Sequence, residues 1–157
     1  MSEVLQVLQY ATNLVFLLLG VVVLREWLVH RERSRGLLAL ALGLLALVSL
    51  IGLVQRVTGP LGPAVQFANI VIFLASGYAL LLFRGSFIPL SPRTQWLALA
   101  ALLAVAAFYI LTYRPATPGV RQGSIQLVAT FLLVAAWSAC VLEPIVRFWI
   151  ASIDRPA

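Results

Sequence analysis

The chain is 157 residues long, 62% hydrophobic and only 10% charged, with a mean hydropathy of +1.04, whereas soluble domains carry about 25% charged residues. That composition excludes a soluble catalytic domain. The formal charge of +6 does not point to nucleic acid either, because the basic residues sit in short loops beside apolar runs, as they do in membrane proteins. The expected fold class is all-α: a polytopic integral membrane protein, one domain over 1–157, built as a bundle of five transmembrane helices.

Five apolar runs, at 4–24, 37–54, 64–83, 96–112 and 124–142, contain no Asp, Glu, Arg or Lys. Each reaches the roughly 17–20 helical residues that cross a hydrocarbon core of about 30 Å. With their flanks they predict helices over about 4–27, 36–56, 64–83, 93–113 and 122–150. The first is not a cleavable signal peptide. Met1, Ser2 and Glu3 supply no positive leader, and Arg25, Glu26 and Trp27 stand where a small-residue cleavage site would lie. Helix one then emerges into a connection over 25–36 that holds Arg25, Arg31, Arg33, Arg35 and the single histidine, His30. The segment 58–63 (TGPLGP) is a compact Gly/Pro reversal. A second break, 84–92 (RGSFIPLSP), offers Ser91 as an N-cap with Pro92 in the first turn of helix four. A third, 114–119 (RPATPG), precedes helix five.

Counting arginines gives the orientation. The first loop, the third loop and the tail together carry eight, and the second and fourth loops carry Arg56, Arg114 and Arg121. The positive-inside rule therefore puts the amino terminus outside and the carboxy terminus in the cytoplasm. Trp27, Trp96 and Trp149 fall at the cytoplasmic interface, where amphipathic rings anchor helix ends. All eleven basic residues are Arg, which suits a GC-rich bacterial genome and a multi-pass protein of the bacterial cytoplasmic (plasma) membrane.

Small residues four apart suggest close helix approach: Ala39 and Gly43, Ala100 and Ala104, Ala135 and Ala139. Polar residues inside the runs are more pointed. Helix one places Gln6, Gln9 and Asn13 on one face, helix three Gln66, Asn69 and Ser76, and helix five Gln122, Gln126 and Thr130. Gln55, Tyr109, Thr112 and Tyr113 add to the same outer half. Polar groups in hydrocarbon are costly unless partnered, so these faces are expected to converge. Two readings compete: interhelical hydrogen bonding alone, or a ligand pocket open to the outside that uses Gln9, Asn13, Gln66, Asn69, Tyr109 and Gln126, with Tyr10 and Tyr78 as aromatic walls.

Glu143 closes the last apolar run and is followed by Pro144, with Arg147 four residues on, the favourable order for a helical ion pair. One reading is a snorkelling pair at the cytoplasmic rim; the other is a signal-output hinge formed by Glu143, Pro144 and Arg147. Cys140 reads as a small buried hydrophobe. No metal-ligand spacing, nucleotide loop or hydrolase elbow is present, and His30 lies among loop arginines. The chain is therefore expected to be no enzyme, to hold no cofactor or metal and to bind no nucleic acid.

The segments 80–89 (LLLFRGSFIP) and 143–156 (EPIVRFWIASIDRP) resemble the multi-pass amino-terminal membrane region of bacterial sensor proteins, chiefly actinobacterial-type sensor histidine kinases. In such proteins the membrane part feeds a cytoplasmic signalling module. The resemblance implies a sensory, signal-transducing membrane module whose last helix passes an outer-side or intramembrane stimulus to a cytoplasmic effector. This sequence lacks a histidine box and ATP-binding glycines, so kinase activity is not carried over. The expectation is a membrane fragment of a longer receptor or a stand-alone relative, with the lipid bilayer, a cytoplasmic signalling domain or partner after the carboxy terminus, and a homodimer as partners. The alternatives are a small structural or assembly subunit of a larger membrane complex and, less favoured by the nearly featureless inner half, a small-solute carrier.

This topology has a direct check. In a Cys140→Ala background, Ser34→Cys and Thr117→Cys should react with impermeant reagents from opposite sides of the membrane. Labelling of both from outside intact cells would refute the five-helix arrangement.

Overall fold

Leu and Ala, strong helix formers, recur through the long apolar runs, and a helix satisfies all its interior backbone hydrogen bonds within one segment. The computed structural model describes residues 2–59, 61–113 and 123–153, apart from the side chains of 2–6, 8, 9, 148 and 151–153. The described residues form five helices: α1 Ser2–His30, α2 Arg33–Thr58, α3 Pro63–Gly85, α4 Pro92–Thr112 and α5 Ser124–Ile153. All five are long and apolar enough to cross a membrane. The 114–119 break, Gln122 and Asp154 lie outside the described residues.

Most of the helices are longer than the apolar runs suggested. The expected connection over 25–36 is helical at both ends, leaving only Arg31 and Glu32 between α1 and α2. Hydropathy ends where charge begins, but Arg and Glu are good helix formers, so the backbone pattern continues past the apolar stretch. The reversal is made by Arg31, whose φ of 48° is left-handed and whose N–H donates to the Trp27 carbonyl at 2.7 Å. That is the place usually taken by glycine after a helix. At α4 the sequence and the structure agree. The Ser91 hydroxyl accepts from the Thr94 N–H at 3.1 Å, and Pro92 opens the helix.

The chain forms two compact units, Met1–Ala79 and Leu80–Ala157, with the last turns of α3 in the second. In the first unit α1 and α2 are an antiparallel pair. Trp27 meets Gly36 beside the turn, Gly20 meets Ala46 mid-helix, and the Arg56 guanidinium lies 5.1 Å from the centre of the Tyr10 ring at the far end. The tightest approach is at Gly20, where a Cβ would fall 2.8 Å from the Ala46 Cβ and 3.4 Å from the Leu42 carbonyl oxygen. Of the expected Ala39–Gly43 row, Ala39 is buried, but Gly43 has no atom within 4 Å of where its Cβ would be.

In the second unit α4 packs on α5 through Leu102 and Ala106 of α4 and Ala129, Leu133 and Cys140 of α5. Ala100, Ala104 and Ala135 are exposed, so those expected rows do not make this contact. Side chains turned outward are mostly Leu, Val, Ile and Phe: only 6% of the α1 span and 11% of the α4 span is buried. Exposed apolar surface on this scale marks an apolar surrounding or partner.

Gly20→Leu should drive α1 from α2 and destabilise the first unit by about 1–3 kcal/mol. Gly43→Leu, entering open space, should change thermal unfolding in detergent little. Equal losses in the two variants would contradict this packing.

Candidate functional site

The polar candidates separate into three groups. The first joins α4 to α5. Thr130 donates its hydroxyl to the Gln126 carbonyl of its own helix at 2.9 Å, and the Tyr109 side chain of α4 lies beside the same hydroxyl. Gln126 itself is buried, at 9% exposure. Beside it a recess of about 420 Å³ is bounded by Thr112, Tyr113, Gly123, Ser124 and Gln126, together with Leu111 and Ile125. Tyr109 does not line that recess; it meets Thr130, one turn along α5 from Gln126. Thr112 borders the recess, and its hydroxyl donates to the Phe108 carbonyl at 2.8 Å with the Tyr109 carbonyl 3.2 Å away.

The second group lies in the Met1–Ala79 unit. Asn13, Gln66 and Asn69 are half-buried, so none faces fully outward. The Asn69 Oδ1 and the Gln55 Nε2 are buried with no hydrogen-bond partner. Unpaired amide atoms of this kind cost about 1–3 kcal/mol each and are groups a polar ligand or water would satisfy. Ser76, on the same expected face, is fully buried and donates to the Phe73 carbonyl at 2.6 Å. Tyr10 is half exposed and stacked under Arg56 rather than walling a pocket with Tyr78. The side chains of Gln6 and Gln9 lie outside the described residues.

The third group is ionic. α5 runs unbroken through Pro144, which removes the bond its own N–H would have given to the Cys140 carbonyl. One turn later Arg147 reaches the Glu143 Oε1 at 3.5 Å. The same oxygen is met at 3.4 Å by Arg84 from the end of α3, whose side chain is only 6% exposed. The Glu143 Oε2 and the Arg84 Nε are both buried and unpartnered. One carboxylate oxygen thus serves two guanidiniums by long contacts while further bonding capacity stays unused. Next to it an apolar cleft of about 300 Å³ runs between α4 and α5 past Thr94, Ala98, Ala136 and Cys140 to Glu143.

Sequence reasoning counted Arg84 only toward orientation. The available signal was that an arginine directly abuts an apolar run, while the run of another helix ends in an acid that needs a counter-charge. Among the described residues no group of three His, Cys, Asp or Glu side chains converges to hold a metal. Compared with known proteins, the chain matches no family model, no curated protein and no solved structure.

Removing Glu143 strands a buried guanidinium, whereas removing Arg147, 60% exposed, leaves the buried pair intact. Glu143→Gln should therefore lower stability by about 1–3 kcal/mol, below the full penalty for a buried pair because Glu143 is a third exposed. Arg147→Gln should cost less than about 1 kcal/mol. Pairing Arg84→Met with Glu143→Leu should recover most of the loss in thermal unfolding. Additive losses in that double variant would show that the two residues are not coupled.

Proposed function

We propose that the chain is a membrane-embedded signal-transduction module, inserted with its amino terminus outside and its carboxy terminus cytoplasmic, in which α5 carries an outer-side or intramembrane stimulus to a cytoplasmic effector. The carrying observation is the placement of two polar sites on one helix. Thr130, one turn from Gln126, meets Tyr109 of α4 in the first turns of α5, and Glu143 is paired with Arg84. Seventeen residues separate Gln126 from Glu143, about 26 Å of helix at about 1.5 Å per residue. That matches a hydrocarbon core of about 30 Å, so the sites would lie at opposite faces of one bilayer. A rigid rod fastened by weak polar contacts at both ends converts a change at one into tilt or rotation at the other. Pro144 and the continuation to Ile153 put the flexible point and the output segment just beyond the second fastening. The resemblance of 80–89 and 143–156 to sensor membrane regions supports the same reading.

A second reading, a subunit of a larger membrane complex, is favoured by the exposed small residues Ala100, Ala104 and Ala135, which the chain's own packing leaves unused.

The coupling can be measured without a known stimulus. In a Cys140→Ala background, nitroxide labels on Leu97→Cys and Ile150→Cys report the distance from the start of α4 to the output segment. In vesicles, Thr130→Val, Glu143→Gln and Pro144→Ala should each shift that distance distribution. An unchanged distribution in all three would make α5 an anchor and favour the subunit reading.

A further inference from the structure

The two arginines nearest the α1–α2 turn are unpaired, although two acids lie beside them. Glu26 accepts from Arg35 at 2.9 Å and lies 3.2 Å from His30, and Glu32 is held by Arg35 at 2.9 Å. Among the described residues, no carboxylate comes within ion-pair distance of Arg31 or Arg33.

These same arginines line one end of a groove of about 680 Å³ between α1 and α2. The rest of its wall is apolar: Leu24 and Trp27 from α1, then Gly36, Leu40, Gly43 and Leu44 from α2. Two glycines make it. Gly36 lets the Trp27 ring lie against α2, since a Cβ there would fall 2.8 Å from the indole Nε1. Gly43 leaves empty space deeper in. From Arg33 to Leu44 the groove follows eleven residues of α2, about 16 Å, close to half of the roughly 30 Å hydrocarbon core. An amphiphile that fills it needs an anionic head and an aliphatic tail one leaflet long.

We propose that the α1–α2 hairpin is a binding site for a single anionic phospholipid, with its phosphate between Arg31 and Arg33 and one acyl chain along the Leu40–Gly43–Leu44 face. Guanidinium forks suit a phosphate's oxygens, and Trp27 sits at the depth where indoles favour the headgroup boundary. The Glu26–Arg35–Glu32 bridges brace the turn and occupy the two neighbouring acids, so Arg31 and Arg33 stay available to the headgroup. The site rests on the membrane part of the proposed function and is independent of signalling through α5.

The test uses Trp27 as a built-in probe. The full chain carrying Trp96→Phe, Trp137→Phe and Trp149→Phe is reconstituted in phosphatidylcholine vesicles with a minor fraction of chain-brominated phosphatidylglycerol or chain-brominated phosphatidylcholine. Trp27 fluorescence should be quenched more strongly by the anionic lipid. Arg31→Gln and Arg33→Gln should each reduce that preference by roughly fivefold, the scale of one arginine contact at an anionic surface. Arg25→Gln removes an equal charge off the groove and should leave the preference intact. Gly43→Leu keeps both arginines, fills the groove and should abolish the preference. Equal quenching by both lipids, an effect of Arg25→Gln matching that of Arg31→Gln, or no effect of Gly43→Leu would overturn the site while leaving the membrane reading standing. No quenching by either lipid would overturn the membrane reading as well. If the single-tryptophan chain does not reconstitute, native mass spectrometry of the unsubstituted chain replaces it. Retention of phosphatidylglycerol over phosphatidylcholine, lost in Arg31→Gln and Gly43→Leu, would then support the site, and equal retention of both lipids would overturn it.

Discussion

Each of the five helices is apolar on nearly all sides, so burial of apolar surface cannot tell one helix face from another. What orders the structure is where backbones can approach and where a polar group finds a partner. In the Met1–Ala79 unit the close approach is Gly20 on Ala46 and Leu42. In the Leu80–Ala157 unit it is the face built by Leu102, Ala106, Ala129 and Leu133, with the Tyr109–Thr130 contact at one end and the Arg84–Glu143 pair at the other. Each polar link is worth little in solution terms. In an apolar surrounding an unmade one is the more serious cost, and that cost fixes register.

The three polar groups differ in how completely they are satisfied. Ser76 and Thr112 turn to carbonyls of their own helices and need nothing further, the usual resolution for hydroxyls in apolar helices. Gln55 and Asn69 each keep a buried amide atom unpaired, and Glu143 shares one oxygen between two arginines while the other stays idle. Fully satisfied networks rigidify; incompletely satisfied ones leave room for rearrangement. Gln55 lies in the last turn of α2, Asn69 two turns into α3, and Glu143 ten residues before the end of α5.

Helix number and type were legible because hydropathy over about 20 residues is a strong, additive signal. The α4 start was legible because a Ser–Pro cap acts locally. The α1–α2 turn was not: charged residues mark the edge of an apolar run, yet Arg and Glu continue a helix readily, so only Arg31 and Glu32 break it. Nor was the helix contact, because alanine is so frequent that rows spaced by four occur on every face, and Ala100, Ala104 and Ala135 turn outward while Gly20 makes the approach. Tyr109 and Gln126 stand out in the sequence as polar residues in apolar runs. Arg84 was missed because a loop-edge arginine looks identical whether it points to water or into a cluster.

Arg84 also changes what Pro144 can mean. A proline near the end of a helix usually weakens the segment beyond it, since the freed Cys140 carbonyl no longer restrains the next turn. Here the residue immediately before the proline is clamped from α3, and Arg147, one turn beyond, reaches back to the same carboxylate oxygen. The weakened turn is thus bridged by charge where the backbone bond is missing. Its stiffness depends on how Glu143 divides its contacts between a buried arginine and an exposed one. A shift of the carboxylate toward Arg84 would release Arg147 and leave the continuation to Ile153 free to pivot about Pro144; a shift toward Arg147 would stiffen it and loosen the tie to α3. Backbone defect and shared carboxylate thus lie together, in the part of α5 that, on the proposed reading, leaves the membrane.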